Sequence, residues 1–185
     1  MILIEKSGNI QKKDFRIKEY ITKDYLYTES KNGDIIYLKR MNNLYRVNHD
    51  SKTLKVLDVN IEKTQINRIK NILPEPQVAN HQINDLTRIC DFEGRNTSSI
   101  IKAKVKIKSN DEISNTCYKN YHEFSAQLGV LKIPLNQSEI IENMDMNLNI
   151  YGNVNSTSSK TLLLETIDDY KIIEKYDKIS NYPFE

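Results

Sequence analysis

The chain has 185 residues, with 27 Lys and Arg against 25 Asp and Glu, so its formal net charge is only +2. Near-balance of charge gives no electrostatic case for nucleic acid or a membrane surface, and five Gly, four Pro and two Cys exclude collagen-like, Pro-rich and disulfide-scaffold classes. Ile, Leu, Val and Phe make up 51 residues, enough to bury a sizeable core, and no run of 18 apolar residues exists to form a membrane-spanning helix.

The first 59 residues read as a meander. Ile2 to Glu5 is a short strand. Phe15, Ile17 and Ile21 share one parity against Arg16, Lys18 and Tyr20, the signature of a strand with one wet face. Asp24 to Thr28 continues extended. Asn32-Gly33 then predicts a hairpin turn, because both residues tolerate positive φ. Strands are expected over Ile35–Arg40, Leu44–Val47 and Leu54–Val59, with turns at Asn42-Asn43 and at His49 to Lys52. The period then becomes helical. Ile66, Ile69, Ile72 and Leu73 predict a helix over 61–73, with Asn60 as N-cap and Pro74 as terminator.

Pro74-Glu75-Pro76 opens a polar connection expected to reach residue 84, and a second set of strands is expected over 86–182. Ile101, Ala103, Val105 and Ile107 alternate strictly with Lys102, Lys104, Lys106 and Lys108. Met144, Met146, Leu148 and Ile150 alternate in the same way with Asp145, Asn147, Asn149 and Tyr151. Between them, Thr116 to Phe124 suits either a strand or a helical turn, and Ser138 to Asn143 is expected to be a short helix. Gly152 to Ser159 reads as a hairpin loop, followed by strands over Thr161–Ile167 and Tyr170–Ile179 joined at Asp168-Asp169. The pattern predicts one mainly β (α+β) domain: a strongly curved antiparallel sheet or incomplete β-barrel of about nine or ten strands, with one principal helix in its concave face.

Motifs of catalysis are not visible. There is no phosphate loop and no nucleophile elbow. His49, His81 and His122 are far apart, and Cys117 with His122 supplies two metal ligands where a site needs three or four. Asp145 reads as the wet face of its strand, and Asp168, Asp169 and Asp177 match no calcium loop. Cys90 and Cys117 either pair in an oxidising compartment or stay as two buried thiols. The lysines at 102, 104, 106 and 108 either face an anionic partner or simply wet one face of a strand. Three glycosylation sequons, at Asn96, Asn136 and Asn155, are the chance expectation in a chain with 21 Asn. A non-catalytic protein without cofactor or metal is expected.

Three stretches carry a resemblance. They are Ile35-Ile36-Tyr37-Leu38 through Asn43 to Asn48 and Thr53 to Leu57; Leu131-Lys132-Ile133-Pro134; and Leu148 to Gly152 with Thr161 to Thr166, Ile172 to Ile179 and Tyr182-Pro183-Phe184. In order and pattern they resemble the periplasmic lipoprotein-carrier (Lol-type) superfamily and its uncharacterised relatives. The resemblance implies an incomplete barrel around a helical lid, whose apolar concavity holds lipid acyl chains or a lipoprotein. On that reading the expected lining residues are Ile36, Leu38, Ala103, Val105, Ile107, Met144, Met146, Leu148 and Ile150. The expected setting is the periplasm or cell envelope if a leader has been removed, and the cytoplasm otherwise; Met1 to Lys6 has no basic start or apolar run of a leader. The alternative is a structural or interaction protein that meets a protein partner through a sheet edge or its lysine-rich face.

Overall fold

The computed structural model describes residues 2–21, 25–30, 34–38, 43–48, 53–57, 59–109, 122, 131–136 and 138–166, with side chains for 3–21, 26–29, 64–109, 122, 131–136 and 138–160. Among these the protein is mostly β. One open antiparallel sheet of eleven strands runs β1 (Ile2–Ile10), β2 (Lys13–Ile21), β3 (Tyr25–Ser30), β4 (Asp34–Leu38), β5 (Asn43–Asn48), β6 (Thr53–Leu57), β7 (Gln77–Asn84), β8 (Thr87–Arg95), β9 (Ser99–Ser109), β10 (Glu139–Ile150) and β11 (Asn153–Thr166). The helix α1 (Val59–Ile72) joins β6 to β7. The spatial order is β6-β5-β4-β3-β2-β1-β11-β10-β9-β8-β7, so the helix connects the two outermost strands.

The strands of the first 59 residues and the two clean strands lie where the alternation put them, except that the extended run from Phe15 to Thr28 is two antiparallel strands, β2 and β3, which makes the meander one of six strands rather than four or five. Several expectations are corrected. The turn between β1 and β2 is made by Gln11 and Lys12 at φ of 51° and 64°, so β1 extends well past Glu5 without any Asn-Gly to announce the turn. The polar connection after Pro76 is a strand, β7. Its neutral polar residues suit an edge that is wet on both sides. Ser138 to Asn143 is not helical; β10 begins at Glu139, and a bulge between Ile141 and Asn143 absorbs the break in alternation. The loop expected over Gly152 to Ser159 shrinks to Tyr151-Gly152, both at positive φ (50° and 85°), and β11 starts at Asn153. Its Ser and Thr residues alternate between faces as ladder members. The helix starts at Val59, which puts Asn60 inside it rather than at its cap. The turns at 31–33 and 49–52, most of Thr116 to Phe124 and everything after Thr166 lie outside the described residues.

Pairing register carries one face across the sheet. Val78, Phe92, Ala103, Met146, Thr157, Ile10 and Lys13 form one row. Asn80, Cys90, Val105, Met144, Ser159, Gly8 and Phe15 form the next. Beneath the first row, Gly94, Ile101, Leu148 and Asn155 align. Cys90, Phe92, Ile101, Ala103, Val105, Ile107, Leu131 and Leu148 form a buried cluster on this face. A second buried group, Ile4, Ile21 and Leu26, lies on the same face of β1 to β3. Tyr27, next to Leu26 and thus on the other face, is also fully buried, its ring 5.4 Å from that of Tyr20. The sheet is therefore covered on both sides at that point.

The exit of α1 is anchored to this face. Asn96 Nδ2 and Ser99 Oγ both donate to the Ile72 carbonyl, at 3.1 and 2.9 Å. They satisfy a helix-end acceptor that has no partner within the helix. Asn96 Oδ1 in turn accepts from the Ser98 and Ser99 amides and builds the β8–β9 turn. Leu73 packs on the buried cluster, and Pro74 to Pro76 cross β8 at Gly94, where a Cβ would lie 3.0 Å from the Pro74 ring.

At Gly8 a Cβ would come within 1.9 Å of the Ser158 carbonyl oxygen, a backbone atom that cannot swing aside. Gly8→Ala is expected to lower stability in urea unfolding by about 2 kcal/mol or more, the range of overpacked cores. Gly94→Ala should cost less, because the pyrrolidine ring can yield by a few tenths of an ångström.

Candidate functional site: an apolar sheet face with a buried ion pair

Strand geometry brings seven of the nine expected lining residues together. Ala103, Val105 and Ile107 on β9 are buried, and Met144, Met146, Leu148 and Ile150 on β10 lie beside them on the same face. Ile36 and Leu38 fall in β4, whose side chains lie outside the described set; their backbones pair with Tyr27 and Tyr25, so Ile36 shares the row of Tyr27 and not that of Leu26. Sequence reasoning missed Phe92 and Cys90 on β8, and Phe15, Ile10 and Ile17 on β1 and β2, all on the lining face. Phe15 and Ile17 could have been found, since their strand parity was legible. Cys90 and Phe92 alternate with Asp91 and Glu93, a signal diluted by the glycine that follows.

The face is not fully sealed. Met144, Met146, Ile150, Phe15 and Ile17 keep part of their surface, and Ile10 is 47% exposed. Thioethers there are flexible and polarizable, and adapt to irregular apolar shapes. Running through the middle is a polar row from β11, with Asn155, Thr157 and Ser159 on the same face as the methionines.

Two ion pairs interrupt this apolar surface. Lys6 Nζ lies 2.7 Å from Glu19 Oε2, with the Glu19 side chain nearly buried. The second is deeper. Arg88 Nε donates to Glu139 Oε1 at 2.8 Å and Nη2 to Oε2 at 2.6 Å, both side chains 7% exposed. The fork spans from β8 to β10 over Ile107 of β9. Its remaining donors reach Asn80 Oδ1, Cys90 Sγ at 3.0 Å and the Pro134 carbonyl. Glu139 also accepts from the Asn136 amide at 2.6 Å. The segment 131–136 is thereby fastened to the sheet, and Leu131, Ile133 and Leu135 pack on the cluster.

Burial works against the charged form of Glu139, but the Arg88 and Asn136 hydrogen bonds and the guanidinium charge outweigh it and hold the carboxyl below its ordinary range. Hydrogen bonding to Glu139 likewise raises Arg88, against the opposing effect of burial. Burial pushes the Cys90 thiol up, with Arg88 opposing, so it is a protonated thiol at neutral pH rather than a thiolate nucleophile. Cys90 is free; Cys117 lies outside the described residues. Burial lowers His122, and the nearby Glu139 charge opposes that shift. Among the described residues no group of three His, Cys, Asp or Glu is arranged to hold a metal, and no described helix is long and apolar enough to cross a membrane.

The opposite face carries the lysine stripe, matched by carboxylates from both neighbouring strands. Lys102 lies 2.7 Å from Glu93, Lys104 3.8 Å from Asp91 and Lys106 2.6 Å from Glu142, and Asp145 stands opposite Lys104. His81 on β7 lies 3.3 Å from Asp91. Those partners offset Lys102, Lys104 and Lys106, three of the four lysines of the stripe. His49, Asp168, Asp169 and Asp177 lie outside the described residues. Comparison of the chain with protein-family models, with curated proteins and with solved structures gives no match.

Removing one member of a buried pair leaves the other charge without compensation. Glu139→Leu is expected to cost about 3–5 kcal/mol in urea unfolding, and Arg88→Met with Glu139→Leu to recover much of it. The pH dependence has two parts. His122 titrates lower in the folded state, so its contribution is complete above the unfolded value of about 6.5 and fades as pH falls through that range. Glu139 is also depressed, so its contribution is complete above about 4.3 and is lost as pH falls through its lower folded value. Thermal melts of His122→Asn should lose the first slope alone; the Arg88→Met/Glu139→Leu protein should lose the second.

Proposed function

We propose that the protein is a non-catalytic binding protein of the cell envelope, holding acyl chains, free or as part of a lipoprotein, against the apolar face of its sheet. One observation carries the reading: side chains from β8, β9 and β10 form an apolar face left partly open at Met144 and Met146, and beyond the polar row of β11 the apolar Ile10 and Phe15 of β1 and β2 lie on the same side. The resemblance to Lol-type carriers supplies the envelope setting and the lipoprotein as occupant.

Chain connectivity supports a curved sheet with this face inside. Laid flat, eleven strands at a spacing of about 4.8 Å would put β6 and β7 roughly 48 Å apart. The connection between them holds the 14-residue helix, about 21 Å long, and a few residues that add roughly 24 Å only at full stretch. A connection that also packs Leu73 on the cluster and ties Ile72 to the β8–β9 turn is not fully stretched. On this reading the edges approach each other and α1 lies over the apolar face. Bulges in β1/β11, β10/β9 and β7/β8, with Gly8 in mid-strand, are the devices by which sheets curl. Each acyl methylene removed from water contributes about 0.8 kcal/mol.

Solvent extraction of the purified chain followed by mass spectrometry is expected to release acyl lipid, and a fluorescent fatty acid is expected to bind with a micromolar Kd. Met146→Asp should weaken that probe by tenfold or more. Ile10→Glu, at an exposed rim position that tolerates a charge, should weaken it several-fold, and Asp145→Asn on the wet face should leave it unchanged. No extracted lipid together with no probe binding would overturn the reading.

A further inference from the structure

Along its strands the apolar face is closed at two places. At the Ile107 end lies the segment 131–136, tied to Arg88 and Glu139, with Leu131 and Leu135 on the cluster. Towards the other end Leu73 packs on the cluster, and Pro74 to Pro76 cross Gly94. Between these lie the rows of Met144 and Met146, about 7 Å apart, and both run across the strands to β2. The Met146 row changes character along its length. Lys13 is exposed, Ile10 is 47% exposed, Thr157 and Met146 are half-buried, and Ala103 and Phe92 are 7% and 2% exposed. It passes from charged and wet to apolar and dry. In the Met144 row the small Ser159 and Gly8 separate Met144 from Phe15 and leave a low path between them.

We propose that the occupant is a single acyl chain with an anionic head, carboxylate or phosphate, lying across the strands with its head at Lys13 and its terminal methyl at Met146 and Ala103. This rests on the acyl-binding reading and adds the direction of the ligand and the residue that receives its head. Charge selects the end. Among the described strand residues on this face, Lys6 is held by Glu19 and Arg88 by Glu139, whereas Lys13 stands exposed at the rim. There a head keeps most of its water while the tail enters the dry part of the row. Length agrees with this. Measured along the sheet, β2 lies about 14 Å from β10 and about 19 Å from β9, room for a medium to long acyl chain. A lysine ammonium is a point charge on a flexible stem, so it accepts either head. An exposed ion pair is weak, and Lys13 therefore orients the ligand more than it holds it.

Displacement of a fluorescent fatty acid by laurate, dodecyl phosphate and dodecanol tests the proposal, at low salt because an exposed charge is screened. Lys13→Glu is expected to raise the Kd of at least one anion fivefold or more and to leave dodecanol within twofold. The anion that loses more is the head the site takes. Lys160→Glu, the same charge change on the other face of β11, should move none of them. In the unsubstituted protein, a nitroxide near the terminal methyl of stearate should broaden the Met146 methyl signal more than one near the carboxylate at equal occupancy. Anions indifferent to Lys13→Glu, dodecanol weakened as much as the anions, or equal or reversed broadening would each overturn the proposal and leave the acyl-binding reading standing. No binding of the fluorescent fatty acid or of any of the three ligands would overturn both.

Discussion

Strand parity is the constraint on which everything else in this protein rests. Successive side chains point to opposite faces, and an antiparallel ladder passes that assignment from strand to strand. A slip of one residue between β9 and β10 would turn Met144, Met146 and Leu148 to the lysine side and bring Asp145 and Asn147 against Val105. The apolar cluster, the matched lysine–carboxylate face and the proposed ligand surface are three consequences of one register. Bulges disturb the register only locally, at Leu3/Ile4, Ile141/Asn143 and Gln82/Asn84, and each restores the faces beyond it.

A purely apolar face would be easier to bury than the one this chain has. The Arg88–Glu139 pair costs desolvation that its Coulomb attraction only partly returns, so its net contribution to stability is modest. What the pair adds is position. Its fork fixes β8 against β10, and the leftover donors and acceptors seize Pro134 and Asn136, so the segment 131–136 has one place to lie. Leu131, Ile133 and Leu135 then reach the cluster. Hydrophobic side chains alone would allow that segment to slide along the sheet.

Much of this was legible in the sequence, for a physical reason. Where one face is dry and the other wet, alternation is strict, as at Ile101 to Lys108 and Met144 to Asn149, and both strands were read correctly with their faces. Legibility failed where that contrast was missing. β7 is wet on both faces, so its composition mimics a linker. β11 carries Ser and Thr on both faces, so it mimics a loop. The Gln11-Lys12 turn has no residue that favours positive φ, and the sheet around it must impose the conformation. The buried ion pair was invisible for another reason: 51 residues separate Arg88 from Glu139, and nothing local to either predicts that they meet. The neutralising partners of the lysine stripe, Asp91, Glu93 and Glu142, were hidden in the same way, because they come from neighbouring strands.

An apolar face that is ordinary packing and one that receives a ligand look alike in composition. They differ in whether a guest reaches the side chains. The two methionines of β10 sit at the centre of the face and carry methyl groups that report directly on such a guest. Methyl NMR of the four methionines, recorded while a spin-labelled fatty acid is titrated in, is the most direct measurement. Binding on this face predicts saturable broadening of the Met144 and Met146 methyl signals, reversed by an unlabelled fatty acid. Signals from Met144 and Met146 that stay sharp at saturating probe would contradict it.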